Sequence, residues 1–391
     1  MMSCFDPAWL RRGATALSMG LLSACAFFQP PTGHPDGLDG VRAEAPAPVC
    51  QIVDTRQGMP MTEAALKRRF GETPWLLLGE AHDNPHHHRL RAQWLPAWAA
   101  GGAGDAPRIV FEHFDREHDA ALMQAQQDRP QGPVPAWVQA AQFDARAWQG
   151  ERYQPLFDAA FAVAQQAGVR WVAGNFSRAE ARATLMRQQP ADPALLARQD
   201  GATWDVAAGQ TLLAAVRTGH CNALPDEALT PMVAAQRLRD AALAQALQQG
   251  AGRGLLLAGN GHVDRRHGVP RYLDAGGQQQ ALVVGLVSMP GLEAGARQCP
   301  EWGAGVAAQA APLVPAGVDG RADTAGDRAV GTDVLTALVG PVRAAELRAA
   351  YDVVVFTLPP PGAIDHCVAF RAGHGAARPA RGGTAAPSGT P

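Results

Sequence analysis

The chain has 391 residues, a formal net charge of −2, 47% hydrophobic residues and 18% charged residues. This length and apolar fraction allow one large folded domain or two small ones. The near-neutral charge and the lack of a basic block argue against a nucleic-acid partner, because proteins of that class present a positive surface to the phosphates.

The N-terminal segment predicts export and lipid anchoring. Arg11 and Arg12 precede an apolar run that is too short to span a bilayer. The box that follows, Leu22-Ser23-Ala24-Cys25, resembles the processing site of bacterial lipoproteins, at which the cysteine is acylated, for example with palmitate. The alternative is an ordinary signal peptide with a chance cysteine.

We therefore expect residues 1–24 to be a signal peptide and Cys25 to be the lipidation site. Residues 25–49, rich in proline and alanine, are expected to form a flexible tether. Ala26 rather than aspartate follows the cysteine, which by resemblance to the usual sorting signal favours the periplasmic face of the outer membrane.

The remaining cysteines predict disulfides but not their pairing. Beyond Cys4 and Cys25 the chain has four, an even number in an oxidising compartment: Cys50, Cys221, Cys299 and Cys367. Four cysteines allow three pairings, and sequence does not choose among them. The absence of C-x-x-C spacing argues against a zinc knuckle or a thioredoxin-like site.

Residues 50–368 are predicted to form the folded domain, with an insertion at 291–350 and a disordered tail at 369–391. Six short apolar runs predict strands buried on both faces: Trp75–Gly79, Arg108–Phe111, Arg170–Ala173, Leu255–Ala258, Ala281–Val287 and Asp352–Thr357. Helices are expected after Asn84, over Leu156–Gln166 and from Pro231 to Gln249. This alternation predicts an α/β fold with a mostly parallel sheet covered by helices on both faces.

Polar side chains follow several of the predicted strands. Glu80 and His82 follow the first, Glu112 the second and His262 the fourth. Ligands of open parallel sheets bind beyond the carboxyl ends of the strands, so these four residues predict a site at that edge. Helix caps are the alternative, and we assign that role to Asn84 and Ser177. The run His86-His87-His88 is not predicted to bind a metal as a unit, because consecutive helical side chains point about 100° apart.

Several ordered motifs resemble the ChaN-like haem-binding lipoproteins, within a wider superfamily of erythromycin esterases and TraB/Tiki-type proteases. They are Leu78-Gly79-Glu80-Ala81-His82-Asp83-Asn84-Pro85, Phe111-Glu112-His113-Phe114-Asp115-Arg116, Gln236-Arg237-Leu238-Arg239-Asp240, Ala258-Gly259-Asn260-Gly261-His262-Val263 and the strand Tyr351–Thr357. The resemblance covers about residues 50–290 and 351–368 and implies haem uptake, with haem at a homodimer interface.

The same resemblance implies a tyrosine axial ligand, with histidine and basic groups nearby. Tyr153 is the favoured ligand of haem iron, because Phe143, Trp148 and Phe157 would wall a porphyrin and Arg146 and Arg152 could meet its propionates. Tyr272 is the second candidate and Tyr351 is assigned to the core. His82 and His262 are expected to lie at the haem site.

Two other functions stay open at this stage. Glu80, His82, Glu112 and His262 could bind a metal or activate water, which would make the protein a metal-dependent esterase or protease. A cell-envelope adaptor with a degenerate pocket would bind neither haem nor metal. A binding protein is favoured over an enzyme.

Overall fold

A computed structural model describes residues 47–101, 107–143, 150–185, 192–202, 204–250, 252–300, 333–362 and 367–368. Cys25 and nearly all of the predicted tether, Arg146, Trp148 and the C-terminal tail lie outside these residues. The lipid anchor therefore stays a prediction. No helix in the described ranges is long and apolar enough to cross a membrane.

One sheet of eight strands organises the described residues, in the order β2-β1-β8-β7-β3-β6-β4-β5. The strands are β1 Val49–Asp54, β2 Met59–Pro60, β3 Trp75–Leu78, β4 Arg108–Asp115, β5 Arg170–Asn175, β6 Gly254–Leu257, β7 Ala281–Ser288 and β8 Val353–Thr357. β3 to β8 pair in parallel, which confirms the predicted α/β fold. β1 pairs antiparallel with β2 and β8, and neither β1 nor β2 was among the predicted strands.

Helices cover both faces of the sheet. They are α1 Glu63–Glu72, α2 Pro85–Ala99, α3 Asp119–Asp128, α4 Val134–Ala140, α5 Gly150–Ala167, α6 Arg178–Leu185, α7 Pro193–Gly201, α8 Val206–Gly219, α9 Asp226–Gln248, α10 Asn260–Val263, α11 Ala275–Gln280 and α12 Val334–Ala350. Two 3-10 helices, Arg116–His118 and Val269–Tyr272, follow β4 and α10.

Alternate strand residues fill two separate cores, as the two-residue period of a strand requires. Leu76 and Leu78 of β3 pack against α1, α2 and α5, whereas Leu77 packs on the opposite face with α9 and α12. Helix α12 belongs to the second core through Leu335 and Leu347, both buried. Residues 334–350 of the predicted insertion are therefore a core helix between β7 and β8.

Two predicted helix starts can be compared with the structure. The Asn84 side chain accepts a hydrogen bond from the His86 amide at the start of α2, which confirms the predicted cap. The predicted start at Pro231 is wrong. Helix α9 begins five residues earlier at Asp226 and keeps Pro231 inside its second turn. Pro231 is the sixth residue of α9, so it lacks the N–H that would bond the Glu227 carbonyl, and the helix continues past it without that one bond.

At the edge strand β5, side chains bond to the backbone groups that have no neighbouring strand. Gln126 donates to the Trp171 carbonyl at 3.0 Å and accepts from the Trp171 amide at 2.8 Å. Asp119 accepts from the Ala173 amide at 2.8 Å. These bonds occupy backbone groups that an incoming strand would use, and unpaired edge groups promote association between chains.

The four cysteines of the domain form two disulfides, which selects one of the three possible pairings. Cys50 is bonded to Cys299, and Cys221 is bonded to Cys367. Each links a segment that follows β7 or β8 to a part of the chain far away in sequence.

Candidate functional site

The site lies where β3, β4 and β6 end, at the carboxyl edge of the sheet. β4 extends past β6, and its pairing with β5 shifts register between Phe111 and Asp115. Successive strand residues point to opposite faces. Glu112 therefore faces α9, and His113 faces α2 and α5. The end of β4 thus contributes to two polar clusters, one on each face.

The first cluster surrounds the Glu80 carboxylate, which is fully buried. Its Oε1 accepts hydrogen bonds from His82 Nδ1 at 2.8 Å, His113 Nε2 at 3.0 Å and the Tyr153 hydroxyl at 3.1 Å. Its Oε2 pairs with the buried guanidinium of Arg91. Burial opposes the charge of Glu80, but Arg91 and the surrounding histidines hold the pKa of its carboxyl well below the usual range.

The second cluster joins Asp240, His262 and Glu112. His262 Nδ1 lies 2.6 Å from Asp240 Oδ1, and its Nε2 lies 3.3 Å from Glu112 Oε1. Burial disfavours the imidazolium, yet Glu112 and Asp240 raise the pKa of His262 to about 10. His262 and His82 in turn hold the pKa of Glu112 well below the usual range, against its burial. These shifts favour a positively charged imidazolium at His262 and a carboxylate at Glu112.

His82 connects the two clusters and reaches solvent. Its Nδ1 is held by Glu80, and its Nε2 lies 3.7 Å from Glu112 Oε1, while 40% of its side chain is exposed. Burial opposes protonation, but Glu112 and Glu80 raise the pKa of this imidazole. A carboxylate at one ring nitrogen fixes the orientation of a histidine and leaves the other nitrogen for a ligand. Since ligand atoms of Glu80, His82 and His113 lie within 4.8 Å of one another, these three could also hold a metal ion.

The loop after β6 approaches His82 so closely that a side chain at Gly259 would displace the imidazole. The Gly259 amide donates to Glu112 Oε2 at 2.6 Å. A Cβ at Gly259 would lie 2.7 Å from His82 Nε2 and 3.5 Å from Glu112 Oε2. At Gly261, two residues later, a Cβ would meet nothing within 4 Å. Gly259, but not Gly261, thus serves the packing of the two loops against each other.

The three tyrosines lie in different environments. Tyr153 stacks on His88 with ring centroids 4.0 Å apart and donates to Glu80, and it is 1% exposed. Burial and the nearby Glu80 raise the pKa of its phenol well above its ordinary value. Tyr272 lies in the other core, where Arg237 donates to its hydroxyl, and the Tyr351 hydroxyl donates to the Asn260 carbonyl. Burial raises the pKa of both phenols. All three are buried, so the assignment of Tyr153 as ligand stays a prediction.

The predicted basic and histidine residues have distinct surroundings. Arg152 is exposed and donates to the Asp83 carbonyl at 3.3 Å, beside His82. His86 bonds to Arg89, and His88 donates to the Arg152 carbonyl. His87 is neutral, because burial lowers its pKa to about 3. The three consecutive histidines thus have three separate sets of partners and do not converge.

Sequence reasoning missed several residues of the site. Arg91, His88, His113 and Asp240 are all buried polar groups of the two clusters. Arg91 and His88 share a helix face with the site because they lie three residues apart. Asp240 was visible as part of the Gln-Arg-Asp motif on α9, but only the packing of α9 on β4 and β6 brings it to His262.

Comparison with known proteins gives a family. A family model described as haem-binding uptake, Tiki superfamily, ChaN matches residues 67–273, which is more than half of the chain. No curated protein sequence matches.

Solved structures resemble the fold. One, titled "Cofacial heme binding to ChaN of Campylobacter jejuni", is 19% identical with a TM-score of 0.51 and covers 61% of this chain and 90% of that chain. A protein from Bacillus cereus (11% identity, TM-score 0.34, 75% of this chain and 90% of that chain) and the type III effector HopBA1 (15%, 0.30, 59% and 84%) match more distantly. The match over residues 67–273 includes every residue of both clusters, and the chain belongs to the haem-binding uptake family of ChaN in the Tiki superfamily.

Proposed function

We propose that this protein binds haem at the carboxyl edge of its sheet, in a homodimer, with Tyr153 as axial ligand and His82 and His262 beside the iron. The observation that carries the proposal is the family match, which spans the whole of the two clusters. The proposed role is haem and iron uptake by a lipoprotein anchored through Cys25 at the periplasmic face of the outer membrane. The two disulfides support an oxidising compartment.

The donors present at this edge fit haem. The ferric iron of haem takes axial ligands. Its two propionate carboxylates need cationic partners. A phenolate is a hard anionic donor that suits ferric iron, and Tyr153 is the tyrosine that contacts the Glu80 cluster. Because burial and Glu80 raise the pKa of Tyr153, its hydroxyl would lose its proton only on binding the iron. The exposed ring of His82 and the exposed Arg152 lie beside it on the solvent side. Arg152 would meet a propionate there.

Burial of Tyr153 sets a condition on this assignment. The hydroxyl reaches an iron only if the first turn of α5 shifts. Pro155 follows Tyr153 by two residues and lacks the N–H that would bond the carbonyl of residue 151. This turn therefore has fewer backbone bonds than the rest of α5, and the His88 bond to Arg152 is one of the side-chain contacts that hold it.

A haemin titration tests the proposal. The purified protein is titrated with haemin, the Soret band is followed, and the molar mass is measured by light scattering before and after. We expect saturable binding, dimerisation, and a weakened and shifted Soret band in Tyr153→Phe but not in Tyr272→Phe or Tyr351→Phe. If His82→Ala loses haemin binding and Tyr153→Phe retains it in full, the axial ligand is His82 and not Tyr153. An unchanged haemin spectrum with the parent protein would overturn the function.

One observation favours a second candidate function, a hydrolase. The structure brings Glu80, His82, Glu112 and His262 together and adds Asp240 behind His262. Ionised Glu112 could accept a proton from water while protonated His262 stabilises developing negative charge. Metal analysis and a panel of ester and peptide substrates test this, with Glu112→Gln as the inactive variant. If Glu112→Gln retains turnover, this site is not the catalytic site.

A further inference from the structure

The loop between β3 and α2 brings the side chains of Glu80 and His82 together, although only Ala81 separates them in the chain. His82 Nδ1 lies 2.8 Å from Glu80 Oε1. The planar peptide unit between Glu80 and Ala81 sets the direction in which the backbone continues to His82. Since these residues belong to neither a helix nor a strand, the hydrogen bonds of this peptide unit must fix its orientation.

Both polar groups of this peptide unit are bonded, and one of the partners is a side chain. The Glu80 carbonyl accepts from the Asn260 amide at 2.8 Å, in the loop after β6. The Ala81 amide donates to His87 Nδ1 at 2.9 Å. His87 lies in the first turn of α2 and is fully buried. The peptide unit is thus held by backbone on one side and by an imidazole on the other.

The same imidazole is bonded to the end of β8. Because Nδ1 accepts from an amide, the proton of this neutral ring is on Nε2, which donates to Thr357 Oγ1 at 2.9 Å. Thr357 is the last residue of β8 and pairs with Val49 of β1 and Ser288 of β7. His87 therefore links the peptide unit to a strand that its neighbours hold on both sides.

We propose that His87 is a positioning residue of the haem site, because it holds the Glu80–Ala81 peptide so that His82 meets Glu80 and presents Nε2 to the ligand. This inference rests on the proposed haem site. The position requires one acceptor and one donor on a neutral, buried ring, which an imidazole supplies. Leucine would leave the Ala81 amide without its acceptor. An amide in that state is more stable where water reaches it, so the peptide would turn and His82 would lose its contact with Glu80.

NMR of the haem-free parent tests the geometry without any variant. With isotope-labelled nitrogen, we expect His87 to show an unprotonated Nδ1 and a protonated Nε2. The Ala81 amide should show a scalar coupling to Nδ1 across the hydrogen bond. A proton on Nδ1 would overturn the inference, because that nitrogen could not then accept from Ala81.

Haemin titration of three variants tests the consequence for the ligand. If the freed loop is binding-competent about one tenth of the time, His87→Leu raises the apparent Kd about tenfold. His87→Asn, whose Oδ1 can still accept from the Ala81 amide, should stay within about threefold of the parent. Thr55→Val is the control, because Thr55 is a fully buried threonine that donates to the Asp352 carbonyl at the opposite edge of the sheet. Its Kd should stay within about twofold of the parent.

The ring nitrogen signals of His82, recorded without haem, separate positioning from a general loss of structure. We expect them to shift in His87→Leu, where the contact with Glu80 is lost, and to match the parent in Thr55→Val. If His87→Leu does not fold, Thr357→Val, which removes the acceptor of Nε2 alone, replaces it in both measurements. Parent-like His82 signals or parent-like haemin affinity in that variant would overturn the inference and leave the haem site intact. No haemin binding by the parent would instead remove the proposed function.

Discussion

The ion pair of Glu80 and Arg91 allows a quantitative test of how the site is built. Both side chains are fully buried, and Glu80→Gln removes the charge that compensates the Arg91 guanidinium while keeping the shape. Breaking a buried pair from one side costs about 3–5 kcal/mol, because the remaining charge stays buried without its partner. This is a large part of a typical stability of about 5–15 kcal/mol.

The assay is thermal or urea unfolding of the haem-free protein, followed by circular dichroism. Because the entropy of unfolding is about 2.1 cal/mol/K per residue, a domain of about 300 residues loses about 1.6 °C per kcal/mol, and Glu80→Gln should lower the Tm by about 5–8 °C. Glu346→Gln is the matched control, since its pair with Arg343 is exposed, and exposed pairs contribute about 0–1 kcal/mol.

A double variant separates lost charge from lost packing. Replacing both charges, as in Glu80→Gln/Arg91→Met, removes the uncompensated guanidinium and should recover most of the stability lost in the single variant. If Glu80→Gln costs no more than Glu346→Gln, or if the double variant is less stable than the single one, the account of Glu80 as an anion stabilised by Arg91 is refuted.

Four further outcomes are expected. Stability of the haem-free protein should fall below about pH 4.5, because the depressed pKa values of the buried carboxylates Glu80 and Glu112 make their contribution fully present only above that value. It should also fall as pH rises from about 6.5 toward 10, because the pKa of His262 is raised to about 10 in the folded state; His262→Asn should flatten that limb. Gly259→Ala should displace His82 and weaken haemin binding, while Gly261→Ala should not. Gln126→Ala should promote association through β5, measured by light scattering, whereas Gln124→Ala, which removes an exposed bond to Asp128, should not.

The last three of these each have a contrary result. A pH–stability profile that is the same in His262→Asn and the parent would mean that His262 does not carry the alkaline dependence. Equal haemin affinity in Gly259→Ala and Gly261→Ala would mean that the approach of the two loops is unimportant for the ligand. Equal monomer content in the two glutamine variants would remove the protective role given to Gln126.

Much of the scaffold could be predicted from the sequence. The six apolar runs are strands of the parallel sheet, because segments buried on both faces must be continuously apolar and short. The positions of Glu80, Glu112 and His262 directly after such runs placed them at one edge, since parallel strands end on the same side. Helix α12 and strand β1 escaped prediction because alanine-rich and half-buried segments carry a weak periodicity.

The partners within the site were decided by the tertiary structure alone. The sequence determined that chemistry collects at the carboxyl edge, but strand order and helix packing decide that Glu80 meets Arg91 and Tyr153 while Glu112 meets His262 and Asp240. Pairing of the four cysteines is likewise a matter of three-dimensional proximity, because loop lengths of this size leave every pairing open. Local composition encodes elements, whereas contacts between elements far apart in sequence depend on how all of them pack together.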